Sequence, residues 1–204
     1  MSPIKEIQLF KKFKIPMDIQ LFLNKLPYNP EYITKSPRRV LIDKTANCFE
    51  GALFAAAALR NLGYPPLIVD LMAHNDDDHV IAVYKKNGHW GAIAKSNFTT
   101  LRFRESVYRT IRELIISYFD FYFNTIGDKS LRSYSRPINL SRFDKFNWMT
   151  TDEDIEFIGD YLFKVKHINI LTPQMTRNLS KADKDVLKAG MLGSVKEGLF
   201  KPKK

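Results

Sequence analysis

The chain has 204 residues, 45% of them hydrophobic and 26% charged, with a formal net charge of +10. That balance belongs to a globular chain, not to a disordered or fibrous one, and no apolar run approaches the ~20 residues of a membrane span. The start lacks an apolar core of signal-peptide length, and the lone cysteine, Cys48, excludes an internal disulfide, so a cytoplasmic location is expected.

The positive charge sits at the ends. Residues 1–39 and residues 174–204 each carry eight basic and three acidic residues, and the segment between them is balanced. Basic ends can associate with nucleic acid or anionic surfaces, although solubility is their more ordinary role.

In chain order, Ile4, Ile7, Leu9, Phe10 and Phe13 form a helical stripe. Pro16 suits the first turn of a second short helix through Leu26. Pro27 and Pro30 bracket a turn. Ser36 caps a short helix through Asp43, with Pro37 in its first turn. Arg38 and Arg39 could meet an anionic substrate group, but pairing with Asp76, Asp77 or Asp78 is the preferred reading.

The clearest signals lie between Thr45 and Phe98. Asn47 is a good N-cap, and Glu50, three residues on, completes a capping box. Phe49 to Leu62 is rich in Ala and Leu, and Gly63, Pro65 and Pro66 end the helix. The helix is apolar on all sides and is therefore expected to be buried. Cys48 is its first residue, where free N–H groups and the positive end of the macrodipole favour a thiolate.

Strands follow. Pro66–Met72 is β-branched, Asp76–Asp78 form a polar turn, and His79 opens the alternating run HVIAVY. Asn87-Gly88 is a strong hairpin signal, with a return strand from His89 to about Ser96. The two-residue turn sets Lys86 opposite His89, Tyr84 opposite Gly91 and His79 opposite Ser96. A bulge would present Asn97 instead. The three aspartates before His79 are expected to raise its pKa.

A cysteine at a helix start, a histidine opening a strand and a polar group on the neighbouring strand have the logic of nucleophile, base and orienter. Over roughly residues 35–125 this order resembles the transglutaminase-like superfamily of papain-like cysteine enzymes, particularly its small bacterial members. The resemblance implies an α+β fold in which the Cys48 helix packs on a small antiparallel sheet with flanking helices. It assigns the nucleophile to Cys48 and the base to His79. The superfamily places Asp on the strand after the histidine, but Ala94, Lys95, Ser96 and Asn97 occupy this region. Ser96 or Asn97 can accept from the imidazole without supplying a charge. An oxyanion would meet the Cys48 N–H and the Asn47 side chain.

The remaining elements are a link from Phe98, a long helix from Arg104 to Asn124, and a loop over 128–149 with a strand near Ile138. A helix capped at Thr151 runs through Lys164, and a strand lies at His167–Leu171. Residues 1–172 are read as one domain. Residues 173–204 are read as a basic tail, loosely held or partly disordered, with one short helix.

The expected function is cysteine-dependent acyl chemistry on an amide or peptide bond, hydrolysis or transfer, with a peptide or amide substrate and no cofactor. One alternative is a catalytically inactive binding or scaffold protein. Another is nucleic-acid association through the basic ends. A metal site from His74, Asp76, Asp78 and His79 matches no standard ligand spacing, and no phosphate loop is present.

Overall fold

The computed structural model describes residues 8–31 and 33–203. The first half of the predicted N-terminal stripe lies outside them, and a short 3₁₀ turn covers Gln8–Lys12. An antiparallel sheet runs in the order β4–β3–β2–β1–β5–β7. Its strands are β1 (Leu67–Ala73), β2 (His79–Lys86), β3 (His89–Ile93), β4 (Arg104–Tyr108), β5 (Leu131–Ser135) and β7 (His167–Asn169), and the short β6 (Ile138–Asn139) pairs with β1. The helices are α1 (Pro16–Asn24), α2 (Pro37–Asp43), α3 (Cys48–Asn61), α4 (Ile111–Phe119), α5 (Phe157–Lys164), α6 (Pro173–Arg177) and α7 (Lys184–Gly190). The fold is α+β, with the cysteine-bearing helix on the sheet.

The period-2 alternation of β2 divides the core. Val80, Ala82 and Tyr84 share a cluster with the buried face of α3. Ile81 and Val83 share the other cluster with Leu114, Ile115 and Tyr118 of α4. By the same alternation His79 belongs to the α4 face, whereas Cys48 begins the helix on the opposite face.

The local signals around α3 are borne out. Asn47 accepts from Glu50 N–H at 2.9 Å while the Glu50 carboxylate accepts from Asn47 N–H at 2.8 Å. Alanines and leucines from Ala52 to Leu59 are buried, each large one contributing roughly 1.5–3 kcal/mol by leaving water. Gly51 has a separate cause. A Cβ there would stand 2.3 Å from the Lys95 Cβ, so only glycine lets α3 approach the chain leaving β3. The hairpin pairs Lys86 with His89 and Tyr84 with Gly91, across a turn with φ of 50° at Asn87 and 81° at Gly88, as a type I′ turn requires.

Three expectations are corrected. The helix predicted from Arg104 to Asn124 is a strand followed by a shorter helix. β4 pairs with the edge of β3 through Trp90↔Tyr108 and Ala92↔Arg104, and Thr110 accepts from Glu113 N–H to start α4. Pairing at the open edge thus outweighs the helical spacing of Val107, which is exposed. The helix predicted from Thr151 begins only at Phe157, because Thr151 and Asp154 close turns, accepting from Glu153 N–H and Glu156 N–H. β5 occupies part of the predicted 128–149 loop, where its serines lie buried against β1.

Arg38 and Arg39 pair with Asp152 and Asp43, not with the three aspartates. Residues from Pro173 onward form α6, α7 and a strap, with a 3₁₀ turn over Lys196–Gly198, that returns to the sheet, where Asn97, Asn75 and Thr125 hold it. No helix of the described residues is long and apolar enough to cross a membrane.

Candidate active site

Cys48 is half-buried at the start of α3. Its Sγ lies 3.9 Å from the Asp78 carbonyl oxygen. The main-chain N–H groups of Val80 and Phe49 favour the thiolate, but withdrawal of the sulfur from water dominates and pushes the thiol up to about 11. The carboxylate of Asp77 adds to the upward push. The depressed thiol expected from the helix start is therefore corrected: burial outweighs the helix N–H groups.

His79 is 3% exposed. Its Nε2 lies 3.1 Å from the Leu101 carbonyl oxygen, and its ring meets Tyr122 edge-on at 6.3 Å between centroids. Only an N–H can face a carbonyl, so Nε2 carries the proton of the neutral ring and Nδ1 keeps its lone pair. Nδ1 makes no hydrogen bond among the described residues, yet it is not sealed away from accessible space. Burial, with Arg104 nearby, lowers the imidazole to about 4. The expected upward push from the aspartates is corrected, because their side chains turn elsewhere. Asp78 accepts from Ala73 N–H at 2.7 Å, and Asp76 accepts from the Ser130 hydroxyl at 2.6 Å.

Cys48 and His79 are not hydrogen-bonded to each other. They reach one small cavity of about 40 Å³ from opposite faces of the sheet, with Tyr28, Ser96, Tyr122 and Phe200 among its walls. Such a space holds about one water molecule.

Ser96 and Asn97 both line this cavity, but neither bonds the imidazole. The ladder between β2 and β3 ends at Ala82↔Ile93, so residues 94–97 leave the register that would set Ser96 opposite His79. The Ser96 hydroxyl instead accepts from Phe98 N–H at 3.0 Å. The Asn97 amide holds residues 195 and 198. The orienter is a main-chain carbonyl, presented by a 3₁₀ turn over Thr99–Leu101. Both neighbouring carbonyls are fixed: Tyr118 donates to Arg102 O at 2.8 Å, and Arg104 donates to Thr100 O at 3.1 Å.

Tyr28 is a site residue that sequence reading missed. Its hydroxyl faces both the thiol and the main-chain N–H of Cys48, and burial beside Cys48 and Asp77 holds its pKa well above the usual value. Its position follows from Asn29 N–H donating to Ala46 O at 3.2 Å and from the Asn29 amide donating to Glu50 at 3.0 Å. The turn prolines were the only sign that this segment folds back onto the cap of α3. Asn47 spends its side-chain oxygen on that cap, and its Nδ2 makes no hydrogen bond among the described residues.

A buried acid does lie on the preceding strand, but it serves another histidine. Asp70 in β1 is buried and bonds His167 Nε2 at 2.9 Å, while His167 Nδ1 meets Val165 O at 3.0 Å. With both nitrogens engaged, His167 cannot accept the thiol proton.

A larger cleft of about 430 Å³ opens on the other side of Cys48. Glu31, Asp77, Asp78 and Glu156 line it together with Tyr28 and Asn47, and its far wall is Glu197–Phe200. Among the described residues lining it there is no lysine or arginine.

No family model matches this chain. Among curated proteins there is likewise no match. Solved structures similar to it include Legionella pneumophila LapG, at TM-score 0.40 and 11% identity over 74% of this chain and 96% of LapG. The EGTA-treated form of LapG gives 0.39 and 12% over the same shares. This is a distant likeness of fold, and the chemistry below rests on the side chains alone.

Proposed function

We propose that the chain carries out cysteine-dependent acyl chemistry on an amide or peptide bond, in the manner of transglutaminase-like enzymes. The observation that supports it most is the tautomer of His79. Leu101 O holds Nε2–H, which leaves the Nδ1 lone pair for the cavity that Cys48 shares. In this reading Nδ1 takes the thiol proton as Sγ attacks the carbonyl carbon. The same proton then passes to the departing nitrogen as the C–N bond breaks, leaving a thioester on Cys48. Water or an amine resolves the thioester by attacking its carbonyl, and the thiol is restored. The developing oxyanion meets the free Cys48 N–H, with the Tyr28 hydroxyl and Asn47 Nδ2 as neighbouring donors.

The rival reading is a binding module that has lost its chemistry. The raised thiol and the absence of a carboxylate behind His79 favour it.

A peptide chloromethyl ketone separates the two. The acyl reading expects an adduct on Cys48 by mass spectrometry, formed about 100-fold more slowly in His79→Asn than in the wild type. Equal rates in the two proteins would leave His79 without a role and would favour the binding module.

A further inference from the structure

The strap over residues 195–203 lies across the cleft and is held there by its main chain. The Asn97 side chain accepts from Val195 N–H at 2.7 Å and donates to Val195 O at 2.8 Å and Gly198 O at 2.9 Å. Asn75 treats Lys203 in the same way, accepting from its N–H at 2.8 Å and donating to its carbonyl at 3.0 Å. Thr125 donates to Phe200 O at 3.3 Å. Asn75 is shaped for this task, since it sits at φ 53° and its carbonyl is tied by Asn124 Nδ2 at 3.2 Å. Each asparagine thus satisfies both the N–H and the C=O of one strap residue. Recognition of that kind reads the main chain and is indifferent to side chains.

Two features add selectivity. Gly198 lies against Tyr28, and a Cβ there would stand 2.7 Å from the tyrosine ring. An occupant at that place must therefore be glycine while Tyr28 faces Cys48. Shape is the second: Lys196–Gly198 form a 3₁₀ turn between the groups that Asn97 holds, and the strap residues that line the cleft are Glu197–Phe200, not the lysines. Gly198 and Phe200 also wall the cavity shared by Cys48 and His79.

We propose that the Cys48 cleft is a main-chain-reading site for glycine-containing peptides that turn at the glycine, and that residues 195–203 are its tethered occupant, holding the place of an external peptide. This deepens the acyl reading by naming its substrate class. It needs from that reading only that the cleft receives a peptide, not that the thiol reacts.

The test uses full-length protein carrying Cys48→Ala, so that thiol chemistry plays no part. Gly198→Val displaces the strap by steric conflict with Tyr28, and Phe200→Asp does so by placing a carboxylate in the cavity. Amide hydrogen exchange at residues 195–203 reports the displacement. The probe is a fluorescent peptide of the sequence SVKEGLFKPK, followed by anisotropy. The displaced variants should bind it at least tenfold more tightly than Cys48→Ala alone. Valine in place of the peptide's glycine should weaken binding at least tenfold, as should adding Asn97→Ala to the protein. A displaced strap with no peptide binding overturns the proposal. So does binding indifferent to the glycine, or a strap that stays protected in both variants. Loss of chloromethyl ketone labelling would instead strike at the acyl reading and leave these results standing.

Discussion

The pH dependence of Cys48 alkylation tests the electrostatics of the site directly. With the thiol pushed from 9.0 up to about 11, the thiolate fraction at pH 7 falls about 100-fold below that of an ordinary thiol. A more basic thiolate is also more nucleophilic, by about eightfold for this shift at a Brønsted slope of 0.4–0.5. The net expectation is iodoacetamide alkylation at pH 7 about tenfold slower than that of an unperturbed thiol. The rate should climb tenfold per pH unit to at least pH 10. Mass spectrometry of the Cys48 peptide gives the rate, and circular dichroism confirms the fold at each pH. Asp77→Asn removes one of the upward pushes, so the midpoint should fall and the pH 7 rate should rise several-fold. A wild-type midpoint below 8.5 would refute the reasoning, because it would show that the helix N–H groups, or a protonated His79, outweigh burial.

Three further outcomes are expected. His79 has a folded pKa of about 4 against 6.5 for an ordinary imidazole, so the unfolded state takes the proton first as pH falls. Stability should drop by about 3 kcal/mol between pH 6.5 and pH 4, and urea melts of His79→Asn should lack that part of the slope. Leu59→Ala in the fully buried face of α3 should cost roughly 2–5 kcal/mol, whereas Cys48→Ala at the half-buried first turn should cost under 1 kcal/mol on the scale of well-tolerated substitutions; thermal melts compare them. Ser96→Asp sets a carboxylate into the cavity that His79 lines, and the NMR titration of His79 should move upward from about 4; an unchanged titration would mean that position 96 does not face the ring.

What was legible in the sequence was local. The Asn47–Glu50 box, the alanine run of α3 and the Asn87-Gly88 turn each close within a few residues, and each stands as expected. What was illegible depends on partners far along the chain. β4 is a strand because β3 offers an open edge, and β5 exists because β1 does. Tyr28 reaches Cys48 through the Asn29–Ala46 and Asn29–Glu50 bonds, which no periodicity encodes. The thiol's direction was misread for the same reason: position in the helix is written locally, while burial is a property of the whole fold.

That a carbonyl, Leu101 O, and not a carboxylate meets His79 Nε2 has a definite energetic meaning. A carbonyl fixes the tautomer as well as a carboxylate does, since either accepts from Nε2–H. It supplies only a dipole to an imidazolium, where a carboxylate supplies a full charge. With the thiol near 11 and the imidazole near 4, moving the proton between them runs uphill by roughly 10 kcal/mol before the ion pair's own attraction is counted. Even if the two charges came within about 4 Å, at an effective dielectric of about 20 that attraction would recover only about 4 kcal/mol. The resting site is therefore a neutral thiol beside a neutral imidazole. In the acyl reading, proton transfer therefore has to accompany attack on a bound carbonyl, when the charge would pass onto an oxyanion facing the Cys48 N–H and Tyr28. On that reading the chemistry depends on what fills the cleft, of which the Gly198–Phe200 segment forms one wall.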